Sequence, residues 1–181
     1  MDFIIGDVPE EFINEAIRIR EERDGLYGNI FTEKCSDLRW VGEIGEICLN
    51  KWLRLNTSLP VEWILEEAAG KADFIVGGSS IGMKTVKRGG PVKAGYTAQI
   101  TAKHATEPVD HFFFASYEVP RKRLWLLGGI AKSNFMQGAT YYGAGDEVHK
   151  HYIVREGHEI YNIEIEKLIP PRLWVSSLGS S

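Results

Sequence analysis

Cysteine is nearly missing from this chain: Cys35 and Cys48 are the only two among 181 residues. Two thiols make a poor disulfide framework, and they lack the company needed for a zinc site. A reducing, cytoplasmic compartment is therefore expected. No apolar run approaches the roughly 20 residues of a membrane-spanning helix, so no membrane partner is expected either. The N-terminus opens Met1-Asp2-Phe3 and soon turns acidic, unlike the basic start of a signal peptide. Internal repeats, heptad arrays and low-complexity linkers are also missing.

A further absence is local. From Phe74 to Thr106 there is no Asp or Glu, while Lys84, Lys87, Arg88, Lys93 and Lys103 all lie there. Upstream, Met1–Asp73 holds 16 acidic and 8 basic residues, and the remainder after Thr106 holds 9 acidic and 8 basic. The net charge of −4 argues against a protein that coats nucleic acid non-specifically. A basic hairpin inside an acidic protein nevertheless suits a phosphate-binding face. The plainer alternative is a solvated strand pair that uses lysine.

What is present is ordinary globular material, 44% hydrophobic and 25% charged, and long enough to bury roughly 70% of its unfolded surface. One domain over residues 1–170 is expected, with residues 171–181 a tail that is loose from Leu173. Asp7 reads as an N-cap, with Pro9 in the first turn and Glu10 completing a capping box. A helix then runs to about Arg23, and Asp24-Gly25 and Gly28-Asn29 mark loop. A second helix is predicted from Ser36 or Asp37 to about Leu55, with Val41, Ile44, Cys48, Trp52 and Leu55 as its buried stripe. Strands are predicted at Val61–Glu66, Ala72–Val76, Ser80–Val86 and Tyr96–His104. The continuous apolar runs Phe112–Ala115 and Leu124–Leu127 suit strands buried on both faces, with Arg121-Lys122-Arg123 in the turn between them. A helix over Ala131–Tyr142, strands at Tyr152–Val154 and Glu159–Ile165, and a stop at Pro170-Pro171 complete the reading. The fold class is α/β or α+β.

The chemistry concentrates around Asp73 and Lys84. Asp73 opens an apolar strand, and Lys84 leaves the next one eleven positions later. Alternation puts Gly82 and Lys84 on one face and Ile81, Met83 and Thr85 on the other. Phosphodiester hydrolysis by a divalent cation needs oxygen ligands, such as one or two carboxylates with a backbone carbonyl. A nearby lysine then orients water or stabilises developing charge. Asp73 fits the carboxylate role and the Met83 carbonyl a backbone one. Glu43 and Glu46, three apart on the second helix, share a face and reach toward the sheet rim; a solvated acidic face is their alternative. Gly42 and Gly45 each cost about 1 kcal/mol in a helix relative to Ala, which close approach of a backbone or ligand would explain. Gln99 is an uncharged partner on the following strand, aligned with Thr97, Thr101 and Lys103. The five histidines read as surface residues.

Together, Gly45-Glu46 on a helix, Asp73 before a strand, Ile81-Gly82-Met83-Lys84-Thr85 on the next and Gln99 beyond it resemble the PD-(D/E)XK nuclease superfamily. Asp110–Tyr117 and Leu124–Ile130 look like the back strands of its phage-type and prokaryotic members. The resemblance covers roughly Trp40 to Ile165 and implies a restriction-endonuclease-like mixed β-sheet flanked by helices. It further implies Mg²⁺- or Mn²⁺-dependent hydrolysis of DNA, with RNA left open and a homodimer allowed. Glu46, or else Glu43, resembles the helical glutamate, Asp73 the metal-binding aspartate and Lys84 the motif lysine. Lys87, Arg88, Lys93, Gln99 and Lys103 would contact nucleic acid. Gly82 stands where the family carries Asp or Glu. The chain is then an engineered inactive variant, a natural member that kept only binding, or one whose carboxylate comes from elsewhere, with Glu43 the nearest candidate. The intact surrounding motif favours the first. A non-catalytic nucleic-acid-binding module, with Arg121-Lys122-Arg123 as extra phosphate contacts, is the first alternative. A protein-interaction domain with Tyr141, Tyr142 and Trp174 exposed is the second.

Overall fold

The computed structural model describes residues 1–27, 38–66 and 71–180. Its centre is a mixed six-stranded sheet made of β1 (Ile4–Asp7), β2 (Val61–Trp63), β3 (Phe74–Val76), β4 (Ser79–Arg88), β6 (His111–Glu118) and β7 (Arg123–Ala131), in the order β1-β7-β6-β4-β3-β2. β4 and β6 pair in parallel, and the other pairs are antiparallel. A second, three-stranded sheet of β5 (Thr97–Thr101), β8 (Thr140–Tyr142) and β11 (Ile160–Glu164) lies in the order β5-β11-β8. A two-stranded ribbon is formed by β9 (Glu147–His149) and β10 (Tyr152–Ile153). The helices are α1 (Glu10–Tyr27), α2 (Val41–Asn56), α3 (Lys132–Gly138) and α4 (Pro171–Leu178). The α/β class stands, as a mixed sheet flanked by helices.

Two cores follow from the alternation of β4 and β6. Ile81 and Met83 pack with Ile44, Ile47, Phe74, Phe113 and Trp174 into one, beneath α1, α2 and α4. Phe112 and Phe114, the register partners of Gly82 and Lys84, join Ala98, Ile100, Phe135 and Ile163 in the other, beneath the second sheet and α3. The continuous apolar runs behave as expected: every residue from Phe112 to Glu118 and from Leu124 to Ile130 is buried.

Several expectations are revised. Asp7 ends β1, paired with Arg123 on β7, and does not cap a helix. Pro9 O accepts the first helical amides, from Phe12 and Ile13, and α1 continues through Gly25 to Tyr27. The predicted start of the second helix at Ser36 or Asp37, together with Gly28-Asn29 and Cys35, lies outside the described residues. Within α2 the buried stripe runs through Val41, Ile44, Ile47, Trp52 and Leu53, and Leu55 is 85% exposed. The segment beginning at Ala131 turns helical only over α3, then becomes β8, whose backbone is taken up by β11. Pro170-Pro171 starts a helix instead of stopping the chain, because proline is suited to the first helical position. The expected loose tail is therefore α4, with Trp174, Val175 and Leu178 in the first core.

Gly129 shows how tightly α4 is seated. A Cβ there would run into the Trp174 indole, so glycine lets this ring press against β7.

Candidate functional site

The local geometry of β3 and β4 unites Asp73 and Lys84. The Asp73 amide donates at 2.9 Å to the carbonyl of Ile81, the residue that also faces Phe74, which ties Asp73 to β4 just before β3 begins. Its Oδ2 accepts the Met83 N–H at 2.7 Å. The amide of Met83, rather than the carbonyl anticipated as a ligand, is thus the group that meets the Asp73 side chain. Burial raises the Asp73 pKa above its ordinary value, opposed by Lys84 and the Met83 N–H and reinforced by Glu107.

Gly45 explains how α2 reaches this place. A Cβ on Gly45 would collide with Thr85 Oγ1 on β4, so glycine permits helix and strand to touch. Gly42 meets nothing within 4 Å and carries no such packing role. The next residue after Gly45 is Glu46, only 6% exposed. Its Oε2 accepts from Arg23 Nη2 at 2.9 Å and Trp63 Nε1 at 3.1 Å. Burial first, and then the nearby Asp73 carboxylate, push its pKa up to about 7 against the pull of Arg23. Glu43 accepts from Arg20 at 3.2 Å and Arg23 at 3.1 Å, and burial raises its pKa as well. Neither glutamate forms a solvated acidic face: both are buried and held by α1. Of the two, Glu46 is the one at which the Asp73 charge is felt.

Sequence reasoning passed over a carboxylate that stands in the same place. Glu107 is 4% exposed, and both its oxygens lie 3.0 Å from Lys84 Nζ. An ideal Cβ on Gly82 would lie 3.2 Å from Glu107 Oε2. The crossover from β4 to its parallel neighbour places it there. The chain leaves β4, crosses the second core in β5, and returns through a 3-10 turn over Ala102–Thr106. β6 then begins with His111 beside Ile81, so the residues just before β6 arrive at the start of β4. Ser80 locks this return, since Asp110 Oδ2 accepts from both its amide at 2.9 Å and its hydroxyl at 3.1 Å. Lys132 Nζ donates to the Glu107 carbonyl. His104 Nε2 lies 3.5 Å from Glu107 Oε1, and burial and Lys84 lower its pKa, favouring the neutral ring. One signal was available: Glu107 is the first acidic residue after the acid-free span.

The basic residues divide. Lys87, Arg88 and Gln99 line a cavity of about 190 Å³ together with Thr97, His149 and Asn162. Gln99 thus belongs to the second sheet, opposite Asn162 on β11, and not to a strand beside β4. Asn162 is 7% exposed and its Oδ1 has no hydrogen-bond partner. Arg88 is engaged within the chain, donating to Thr97 O at 3.2 Å and lying 4.5 Å over the Tyr96 ring. Lys93 and Lys103 are exposed, the first in the loop before β5 and the second in the 3-10 turn. The turn between β6 and β7 is not a free basic cluster: Arg121 and Arg123 pair with Glu118, and Lys122 with Glu10.

The aromatics proposed as an exposed partner surface also divide. Tyr141 is 51% exposed, but Trp174 is fully buried. His111 is not a simple surface residue, as its Nδ1 accepts from Trp174 Nε1 at 3.3 Å. Cys48 is half-buried, and burial pushes its thiol pKa up to about 12, which makes it a poor nucleophile. Among the described residues no helix is long and apolar enough to cross a membrane. No family model, curated protein or solved structure matches the chain.

Proposed function

We propose that this protein hydrolyses phosphodiester bonds in DNA with the help of Mg²⁺ or Mn²⁺, using Asp73, Lys84 and Glu46. One observation carries the reading. A half-buried aspartate entering β3 and a lysine in the middle of β4 stand close enough for the lysine to lower the aspartate's pKa, and a helical glutamate stands close enough for the aspartate to raise its own. Two strands and a helix thus bring the three side chains within electrostatic reach, Asp73 between Lys84 and Glu46.

The donor set suits a hard cation, being carboxylate oxygen without thiol or imidazole at Asp73 itself. Among the described residues no three His, Cys, Asp or Glu side chains gather as a ready-made metal cage. Mg²⁺ does not require one: it is commonly bound by one or two carboxylates plus water and substrate phosphate. When bound, the cation supplies an activated water and offsets charge on the scissile phosphate.

The chain's own residues do the rest. The Met83 N–H fixes one Asp73 oxygen at 2.7 Å. Lys84 holds its ammonium at the same face and offers a positive charge to an incoming phosphate. Arg23 and Trp63 hold Glu46 in a fixed rotamer next to this point. Lys87 and Gln99, on β4 and β5, border a cavity of about 190 Å³ and are the phosphate contacts this reading assigns.

Incubation of the full chain with Mn²⁺ and single-stranded, duplex or branched DNA tests the reading. Cleavage that chelation stops and that Asp73→Asn abolishes is expected. Salt-sensitive binding without cleavage would favour the non-catalytic module instead.

A further inference from the structure

We propose that Glu107 is the second acidic ligand of this site, standing in for the carboxylate that Gly82 cannot supply. The inference rests on the nuclease reading above and changes its meaning for this chain: Gly82 marks a relocation, not a loss.

Three observations converge. The first is spatial. A Cβ built on Gly82 lies 3.2 Å from Glu107 Oε2 and 3.3 Å from Phe112 Cδ1. The space into which a side chain at position 82 would extend is already occupied, and its polar occupant is a carboxylate. Gly82 and Glu107 therefore fit together: the small residue makes room for the large one.

The second is electrostatic. Glu107 faces the two groups that a ligand at position 82 would face. Lys84 contacts both its oxygens at 3.0 Å, and its charge is felt at Asp73 across the strand pair. A carboxylate with 4% exposure is rarely kept without purpose or partner, and here it has Lys84 as partner and Asp73 as neighbour.

The third is positional rigidity. The segment from Glu107 to Asp110, just after the 3-10 turn, is pinned at both ends, by Lys132 to the Glu107 carbonyl and by Ser80 to Asp110. The Glu107 N–H donates to His104 O at 3.1 Å. A ligand held on a clamped turn loses little conformational entropy on binding.

Glu43, the other candidate for a displaced carboxylate, is turned toward Arg20 and Arg23 of α1. It therefore does not fill the gap.

Mn²⁺ titration calorimetry and DNA cleavage, run on the same four full-length proteins, test the assignment. The proteins are wild type, Glu107→Ala, Gly82→Asp and the double variant Gly82→Asp/Glu107→Ala. Wild type should bind Mn²⁺ and cut DNA. Glu107→Ala should bind Mn²⁺ at least tenfold more weakly and cut at least a hundredfold more slowly. The double variant should regain most of both, because an aspartate at position 82 enters the space that the truncated Glu107 vacates. Urea unfolding of all four proteins separates a ligand role from a folding defect, since a ligand role predicts the Mn²⁺ and cleavage losses in a Glu107→Ala that still unfolds cooperatively. Unchanged Mn²⁺ affinity in Glu107→Ala overturns the inference. A silent wild type beside a Gly82→Asp that binds and cuts also overturns it, while leaving the nuclease reading intact. Neither binding nor cleavage in any of the four proteins overturns both.

Discussion

Lys84 and Glu107 form a closed ion pair at the centre of the molecule, with the lysine Nζ 3.0 Å from each carboxylate oxygen and side-chain exposures of 14% and 4%. Pairs this deep are asymmetric in their energetics, because removal of one partner strands the other in a poorly solvated place. Lys84→Ala should destabilise the protein by about 3 kcal/mol, read from urea unfolding. Lys84→Ala/Glu107→Ala should recover much of that loss. A cation at the site would replace the missing positive charge, so Mn²⁺ should raise the melting temperature of Lys84→Ala more than that of wild type.

Glu46 sets a pH dependence whose sign can be worked out. Its folded pKa of about 7 lies above the ordinary 4.5, so between those values the folded state holds the proton more often than the unfolded state. The contribution of Glu46 to stability therefore falls as pH rises from about 4.5 to about 7. His104 titrates with the opposite sense, since its folded pKa is lowered. The difference between wild type and Glu46→Gln isolates the glutamate. Relative to the variant, wild type should lose stability steadily across that interval, followed by urea unfolding at several pH values. A difference that is flat with pH contradicts the assignment. Metal binding competes with the same proton, so Mn²⁺ affinity should drop on acidification below about 7.

Two glycines three residues apart on α2 should respond in opposite directions to the same change. Gly42→Ala meets open space and should stabilise by about 1 kcal/mol through helix propensity alone. Gly45→Ala drives a methyl into Thr85, and overpacking of about 1–3 kcal/mol should outweigh the same gain. Because Gly45 holds α2 against β4, Gly45→Ala should also slow DNA cleavage by moving Glu46, whereas Gly42→Ala should not.

Trp174 carries the C-terminal helix. It is fully buried and lies 4.8 Å, centroid to centroid, from Phe113. Trp174→Ala should cost about 3–5 kcal/mol. Were residues 171–181 a loose tail, thermal unfolding would scarcely notice the change.

The comparison of sequence with structure divides along the range of the interactions involved. Alternation along Ile81–Thr85 placed Lys84 and Gly82 on one face, because strand periodicity is a local property. Phe112–Ala115 and Leu124–Leu127 were readable for the same reason, since strands covered on both sides need no polar face. α4 was missed because Pro170-Pro171 is an ambiguous signal, ending one helix or beginning another, and only the seat on Gly129 decides. β1 was missed because Asp7 and Pro9 mimic a cap, while the pairing that makes residues 4–7 a strand comes from β7, more than a hundred positions away. Glu107 was hidden most deeply. Its closeness to Gly82 depends on a crossover of two dozen residues and on the β4–β6 register, and neither leaves a periodic trace.

The central claim is that acidic groups around Asp73 hold a divalent cation. Titration of the unaltered full-length chain with Mn²⁺ by calorimetry, beside Asp73→Asn, tests it most directly. One-to-one binding that Asp73→Asn weakens at least tenfold is the predicted result. Absence of heat from the wild type at pH 8, where Glu46 is ionised, or equal binding by the two proteins, would contradict it.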